Sequence, residues 1–83
     1  MQRIRLKSSL LDWVLYLGDR QILDVGFRTG KLYRYFGAPQ ARYQELLRAE
    51  SAGRFFNATI RNHYAYRDLS RSSAPVVLAN SLK

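Results

Sequence analysis

The sequence predicts an α+β fold, a three-stranded antiparallel β-meander with two α-helices packed on one face. The first observation is strand-like alternation of apolar residues over 22–36, interrupted by a turn at Thr29-Gly30. The second is the helical spacing of apolar residues after Pro39, and the third is Ser51, a capping residue type that precedes another helical stripe. A chain of 83 residues suffices for one small domain.

The turn at residues 28–30 decides which side chains share a face of the sheet. A two-residue loop would force a positive φ on Thr29, which a β-branched residue resists, whereas a three-residue loop needs it only at Gly30. The three-residue loop places five side chains on the face beneath the helices: Leu23, Val25, Phe27, Tyr33 and Tyr35. We therefore expect both tyrosines to be core residues rather than surface rings that stack on bases.

One strand precedes the hairpin and two helices follow it. Residues 10–17 are apolar or aromatic apart from Asp12, but the stretch is too short to establish a helix, so we predict the first strand there, followed by a four-residue loop at 18–21. Pro39 suits the first position of a helix, where no amide donor is needed. Ser51 is expected to cap a second helix that runs through Tyr64.

A change of composition after Asp68 divides the chain. Residues 1–68 are predicted to form the folded domain. Residues 69–83 begin with a Ser-rich stretch that includes Pro75, and they are predicted to form a flexible C-terminal tail. The short apolar patch at 76–78 lies within this predicted tail.

Composition and charge exclude several classes of protein. No apolar run approaches the ~20 residues of a membrane span, and we find no signal peptide, so we expect a cytoplasmic location. The chain has no cysteine, which excludes disulfides and thiolate zinc sites. Its 14 Lys and Arg against 6 Asp and Glu give a net charge of +8, which suits a polyanionic partner.

The sequence offers little support for catalysis. His63 is the single histidine, and the serines have no evident base beside them, so we expect no enzyme activity. Its acidic residues do not approach metal-ligand spacing, and no Gly-rich phosphate loop opens a helix. We therefore expect no metal, no cofactor and no small-molecule substrate. Asp24 is instead expected to form a cross-strand ion pair with Arg34.

Basic residues are the best candidates for a binding site. The second predicted helix has no acidic residue over 54–66, so its cations are free for an external anion. The candidate nucleic-acid-binding residues lie around the hairpin and on one side of this helix: Arg28, Lys31, Arg34, Arg54, Asn57 and Arg61.

The ordered pattern of small, apolar and aromatic residues over about 7–67 resembles the KTSC domain. The matching residues include Ser8-Ser9, Leu23-x-Val25-x-Phe27, Gly30, Tyr33-x-Tyr35, Pro39, Ser51, Gly53, Phe55-Phe56-Asn57 and Ile60-Arg61. This domain occurs at the C-terminus of some lysyl-tRNA synthetases and as a free-standing protein, and RNA binding is the function suggested for it. The resemblance implies RNA, tRNA included, as the partner.

Two functions from different classes remain open at this point. The first is a non-catalytic RNA-binding domain with limited sequence preference, in which Trp13 or Phe36 stacks a base or contacts a partner. The alternative is a protein-interaction or self-association module, a homodimer included. It would use the face of the sheet away from the helices, here called the second face, with Trp13, Leu15, Leu17, Ile22, Leu32 and Phe36.

Overall fold

The structure is a computed structural model that describes residues 2–71 and 74–79. Within these residues, six strands form one antiparallel sheet in which each strand pairs with the next along the chain. The strands are β1 (Ile4–Arg5), β2 (Leu11–Leu17), β3 (Ile22–Phe27), β4 (Leu32–Phe36), β5 (Ala65–Asp68) and β6 (Val76–Val77). The helices are α1 (Gln40–Arg48) and α2 (Ala52–Thr59), and a 3-10 turn covers Gly18–Arg20.

The predicted α+β class, with an antiparallel sheet and two helices, is confirmed, but the prediction of three strands was wrong. β2, β3 and β4 are the three predicted strands, and β1, β5 and β6 extend the sheet on either side. β1 and β6 have two residues each, which is too short for alternation to identify a strand. They form because a neighbouring strand already offers its unpaired backbone groups.

The predicted pairing of the three central strands is confirmed. Val25 lies opposite Tyr33 and Leu23 lies opposite Tyr35, as the three-residue loop requires. Gly30 has a φ of 94°, and the Phe27 amide donates to the Lys31 carbonyl at 2.8 Å. A glycine at the third loop position therefore sets the register of the hairpin.

The second helix is shorter than its sequence pattern predicts. α2 ends at Thr59, and the amides of Ile60 and Arg61 both donate to the Phe56 carbonyl at 2.9 Å. Asn62 then adopts a left-handed φ of 66°, which stops the helix. The prediction through Tyr64 was wrong because the following residues pair with β4, and this tertiary contact outweighs their helical spacing.

The core lies between the first face of the sheet and the two helices. Phe56 of α2 meets Phe27 and Tyr35 in edge-to-face contacts, with ring centroids 5.4 and 5.5 Å apart. On the α1 side, Tyr16 stacks on Tyr43 with ring centroids 4.8 Å apart. The fully buried side chains that join these contacts are Leu11, Val14, Leu23, Val25, Leu46 and Ile60.

The two described helices pack on the first face, so the second face of the sheet carries neither of them. All six residues predicted to form this face are buried or half-buried. The Trp13 indole lies directly over Gly26, where an added Cβ would come within 2.2 Å of the ring. The Arg3 guanidinium lies 4.0 Å from the centre of the Trp13 ring. Self-association through this face stays a prediction.

Only part of the predicted tail is described. Val76 and Val77 form β6 and pair with Arg67 and Tyr66 of β5, which places them at the edge of the sheet. Residues 72, 73 and 80–83 lie outside the described residues. The division into a domain over 1–68 and a flexible tail over 69–83 stays a prediction.

The cap of α2 gives a first testable expectation. The Ser51 hydroxyl accepts a hydrogen bond from the Arg54 amide at 3.3 Å, as predicted from the sequence. Ser51→Ala should lower the free energy of unfolding by about 1 kcal/mol, measured by urea denaturation, because that amide loses its acceptor. Ser9→Ala, at an exposed site, is the control and should change it by less than about 0.5 kcal/mol. Equal midpoints for the two variants would contradict this role for the cap.

Candidate functional site

A first cleft, here called the helix cleft, lies between residues 7–10 and the N-terminal part of α2. Its volume is about 420 Å³, and Arg54 and Asn57 line it together with Lys7 and Ser8. The Ser8 hydroxyl accepts from the amides of Leu10 and Leu11 at 3.1 Å, which fixes the turn into β2. The segment and the helix approach closely, since a Cβ on Gly53 would lie 3.3 Å from the Ser8 Oγ.

A second cleft, here called the hairpin cleft, lies between the turn of the β3–β4 hairpin and the end of α2. Its volume is about 230 Å³. Lys31 and Arg61 contribute its cations, and Phe27, Tyr33 and Tyr35 contribute aromatic surface. Leu10 lines both clefts, so they adjoin one another along the same side of α2.

Cations and an amide along the two clefts form a surface that we call the basic track: Lys7, Arg54, Asn57, Arg61 and Lys31. The Arg61 Nη1 donates to the Asn57 Oδ1 at 3.4 Å, which links the two clefts. Among the described residues, no carboxylate lies within ion-pairing distance of Arg54, Arg61 or Lys31, although Asp68 and Lys31 attract one another over a longer distance. Glu50 is the one acidic residue that lines either cleft in the described chain, at the N-terminal end of α2.

Arg28 has a different environment from the other predicted binding residues. Its Nε donates to the Ser8 carbonyl at 2.6 Å, and its Nη2 donates to the Leu6 carbonyl at 3.1 Å. Its Nη1 also lies 3.5 Å from the Asp12 carboxylate. Three contacts to one segment indicate that Arg28 holds the start of the chain against the hairpin. The structure does not bring it into the basic track.

Arg34 lies on the second face, away from the basic track. It forms the predicted ion pair with Asp24, with Nε and Nη2 donating to the two carboxylate oxygens at 2.8 and 2.9 Å. The hydrogen bonds to Asp24 raise the pKa of Arg34 above its ordinary value. The Asp24 side chain is only 7% exposed, so Arg34 neutralises a carboxylate that would otherwise be buried without a partner.

The two aromatic candidates also lie on the second face. Trp13 is packed between Gly26 on one side and the Arg3 guanidinium on the other. Phe36 is half-buried and lies opposite Ile22 in the sheet. Both are thus on the other side of the sheet from Lys31, Arg54, Asn57 and Arg61, and the predicted set divides between two surfaces.

Tyrosines beside the hairpin cleft were not among the predicted site residues. Tyr33 and Tyr66 stack with ring centroids 5.2 Å apart, and Tyr35 lies against both rings. Together with Arg61 and Asn62 they line a small cavity of about 110 Å³, here called the tyrosine cavity. Tyr33 and Tyr35 were predicted to be core residues, and Tyr66 had no predicted role because residues 65–68 show no apolar alternation that would mark a strand.

The structure also bears on membrane-spanning helices and on metal sites, neither of which the sequence predicts. Neither described helix has the length and apolar content that a membrane crossing requires. Among residues 2–71 and 74–79, no three His, Cys, Asp or Glu residues cluster closely enough to hold a metal ion. The cytoplasmic location and the absence of catalysis stay predictions.

Comparison with known proteins gives a consistent family match. A family model for the KTSC domain matches residues 7–64. An uncharacterized protein of Stutzerimonas stutzeri strain A1501 is 45% identical over 67 residues, covering 80% of this chain and 94% of the relative. A protein of Tsukamurella paurometabola is 34% identical over 58 residues, covering 70% of this chain and 87% of the relative.

A solved structure agrees with these relatives. The crystal structure of a KTSC domain protein from Yersinia pestis superposes with a TM-score of 0.78 at 33% sequence identity. The superposition covers 81% of this chain and 94% of the crystallised chain. The fold described above is therefore similar to an experimentally determined one.

Proposed function

The chain belongs to the KTSC domain family, and from this premise we propose that it is a non-catalytic module that binds single-stranded RNA along the basic track. The observation that carries the proposal is the set of cations along α2 without acidic partners. Arg54 and Arg61 are exposed, and among the described residues no carboxylate pairs with them. Arg28 and Arg34, by contrast, use their guanidinium groups within the fold.

Phosphate groups are the ligands that these Arg and Lys side chains bind best. The planar guanidinium of Arg matches two phosphate oxygens, and an exposed Arg gives up little internal contact when it binds one. Arg54 lies in the first turn of α2 and Arg61 follows its C-terminal end, so the two guanidinium groups flank the helix at opposite ends. Lys7 and Lys31 extend the positive surface at its two ends. The whole protein, with a net charge of +8, adds long-range attraction for a polyanion.

The proposed binding has limited sequence preference. Contacts to phosphate position a strand but carry no information about its bases. The rings nearest the track, those of Phe27, Tyr33 and Tyr66, stack on each other or meet edge to face. Their surface is already used by these contacts, so we expect base stacking to contribute less than charge.

The salt dependence of RNA binding tests this proposal. If the track contacts three to five phosphates, log K should fall against log salt with a slope of about −2 to −3.5. Arg54→Ala combined with Arg61→Ala should make the slope shallower by about 1.4, because two phosphate contacts are lost. The loss of affinity should be similar for RNAs of different sequence, measured by fluorescence anisotropy.

A matched control distinguishes the loss of two arginines from the basic track from a simple loss of net charge. Arg20 and Arg67 are exposed, Arg20 in the 3-10 turn and Arg67 opposite Arg34 on the second face. Arg20→Ala combined with Arg67→Ala removes the same two charges and should leave the slope nearly unchanged. Equal slopes for the two double variants, or no RNA binding by the folded protein at low salt, would contradict the proposal.

A further inference from the structure

The tyrosine cavity has the composition of an anion site. Its lining consists of the phenol side chains of Tyr33, Tyr35 and Tyr66, the Arg61 guanidinium and Asn62. These side chains all offer hydrogen-bond donors, and none of them is a carboxylate. Asp68 lies opposite Tyr33 in the sheet but does not line this cavity. Its carboxylate accepts hydrogen bonds from the hydroxyl and the amide of Ser70 and is attracted by the charge of Lys31.

Tyr35 supplies a buried donor with no partner inside the described chain. The residue is 2% exposed, yet no described group accepts a hydrogen bond from its hydroxyl. That oxygen is also not among the fully buried unpaired atoms, so it reaches accessible space. The cavities that Tyr35 lines are the hairpin cleft and the tyrosine cavity, and Arg61 lines both. Tyr35 and Arg61 therefore border the same space.

Tyr35 is protonated at neutral pH, so its hydroxyl can act as a hydrogen-bond donor to an anion. Burial raises the pKa of Tyr35 well above its ordinary value, the neighbouring Tyr33 adds to the rise, and the Arg61 guanidinium opposes it. The phenol consequently keeps its proton throughout the neutral range. It can donate a hydrogen bond to an anion, whereas a phenolate would repel one.

The size and the position of the tyrosine cavity limit which ligands can bind there. The tyrosine cavity, at about 110 Å³, has about half the volume of the hairpin cleft, at about 230 Å³, so it suits a small anionic group better than a whole nucleotide. The cavity is more enclosed than the hairpin cleft, and Arg61 stands between the two. A strand that follows the basic track past Arg54 and Asn57 thus reaches this cavity at its end.

We infer that the tyrosine cavity binds the terminal phosphate of an RNA strand that lies along the basic track. This inference rests on the proposed function and assigns one subsite within it. A phosphomonoester carries a charge of about −1.5 to −2 at neutral pH and presents three acceptor oxygens. A diester within a strand carries a single negative charge and continues in both directions, so it fits an enclosed cavity less well.

The experiment compares one short RNA with a 5′-phosphate, with a 3′-phosphate and with hydroxyls at both ends. At least one phosphorylated form should bind about tenfold more tightly than the hydroxyl form, because charge-assisted hydrogen bonds are added. Tyr35→Phe keeps the ring in the core and removes the donor, so it should abolish most of this preference. Tyr43→Phe, on the far side of the core where Tyr43 stacks on Tyr16, is the control and should preserve it.

The outcomes separate this inference from the proposed function. Equal binding of all three RNAs would overturn the inference and leave the proposed function standing. A preference that survives in both Tyr35→Phe and Arg61→Ala would overturn the assignment to this cavity. Adenosine monophosphate tests the source of the phosphate: binding as tight as that of the phosphorylated RNA would assign the site to a free nucleotide and overturn the strand-end role. Absence of all RNA binding would overturn both proposals.

Discussion

Tyr35→Ala is expected to lower the free energy of unfolding by about 3–5 kcal/mol, the cost of truncating a large buried aromatic residue. Tyr35 lies at the centre of the sheet, opposite Leu23 and Tyr66, and its ring meets Phe56 of α2 at 5.5 Å. Removal of the ring would leave a cavity between strand and helix. A domain of this size has a total stability of roughly 5–10 kcal/mol, so the variant should retain only about 0–7 kcal/mol and should unfold at a markedly lower urea concentration.

Tyr35→Phe provides the comparison for this truncation. It retains the ring and its contacts with Phe56, and it removes a hydroxyl that makes no hydrogen bond within the described chain. We expect a change of about 1 kcal/mol or less, measured by urea denaturation followed by circular dichroism. An unfolding midpoint that Tyr35→Ala leaves unchanged would contradict the register on which the fold depends.

Gly26→Ala is expected to destabilise the protein by about 1–3 kcal/mol, although alanine is ordinarily preferred to glycine in a strand. An added Cβ would come within 2.2 Å of the Trp13 Cε2 and Nε1 atoms, so the indole must move off the sheet. Its cation–π contact with Arg3 would be disturbed at the same time. The effect should appear in urea denaturation and in a changed tryptophan emission spectrum.

The Trp13→Ala background tests whether the clash is the cause. With the indole removed, Gly26→Ala should be neutral or stabilising by about 0.5–1 kcal/mol, because the intrinsic preference for alanine is then unopposed. The difference between the two backgrounds is the coupling free energy of the pair. Similar destabilisation in both backgrounds would show that the packing of Trp13 over Gly26 is not responsible.

The central part of the fold was predictable because a few residues fix it. Gly30 allows only one convenient loop length, and that length sets the pairing of Val25 with Tyr33 and of Asp24 with Arg34. The alternation of β3 then assigns each side chain to a face. Ser51 likewise marked the start of α2, because its hydroxyl caps an amide that the helix leaves free.

The outer strands were not predictable because they depend on neighbours that are distant in sequence. β5 pairs with β4, about thirty residues earlier, and its residues follow directly on an apparently helical stripe. The sequence alone gave no reason to end α2 at Thr59, and the left-handed Asn62 became evident only in the structure. Tyr66 was missed for the same reason.

The candidate site was predictable only as a set of residue types. Arg28 and Arg34 bind groups within the fold. Arg54 and Arg61 do not pair with a described carboxylate. The sequence alone cannot distinguish these two kinds of arginine. That difference depends on where the 6–8 segment and Asp24 lie in space. Helical spacing predicted Arg54, Asn57 and Arg61 on one side of the second helix. In the structure Arg54 and Asn57 belong to α2 and Arg61 follows its end, and the three residues lie along adjoining clefts.

Titration of the isotope-labelled protein with a short single-stranded RNA at low salt, followed by NMR, tests the central claim most directly. The account predicts that shift changes concentrate at Arg54, Asn57 and Arg61 and at Lys31 across the hairpin cleft. Resonances of the second face, such as the Trp13 indole, should change little. Shifts confined to the second face, or no shifts at all from a folded protein, would contradict it.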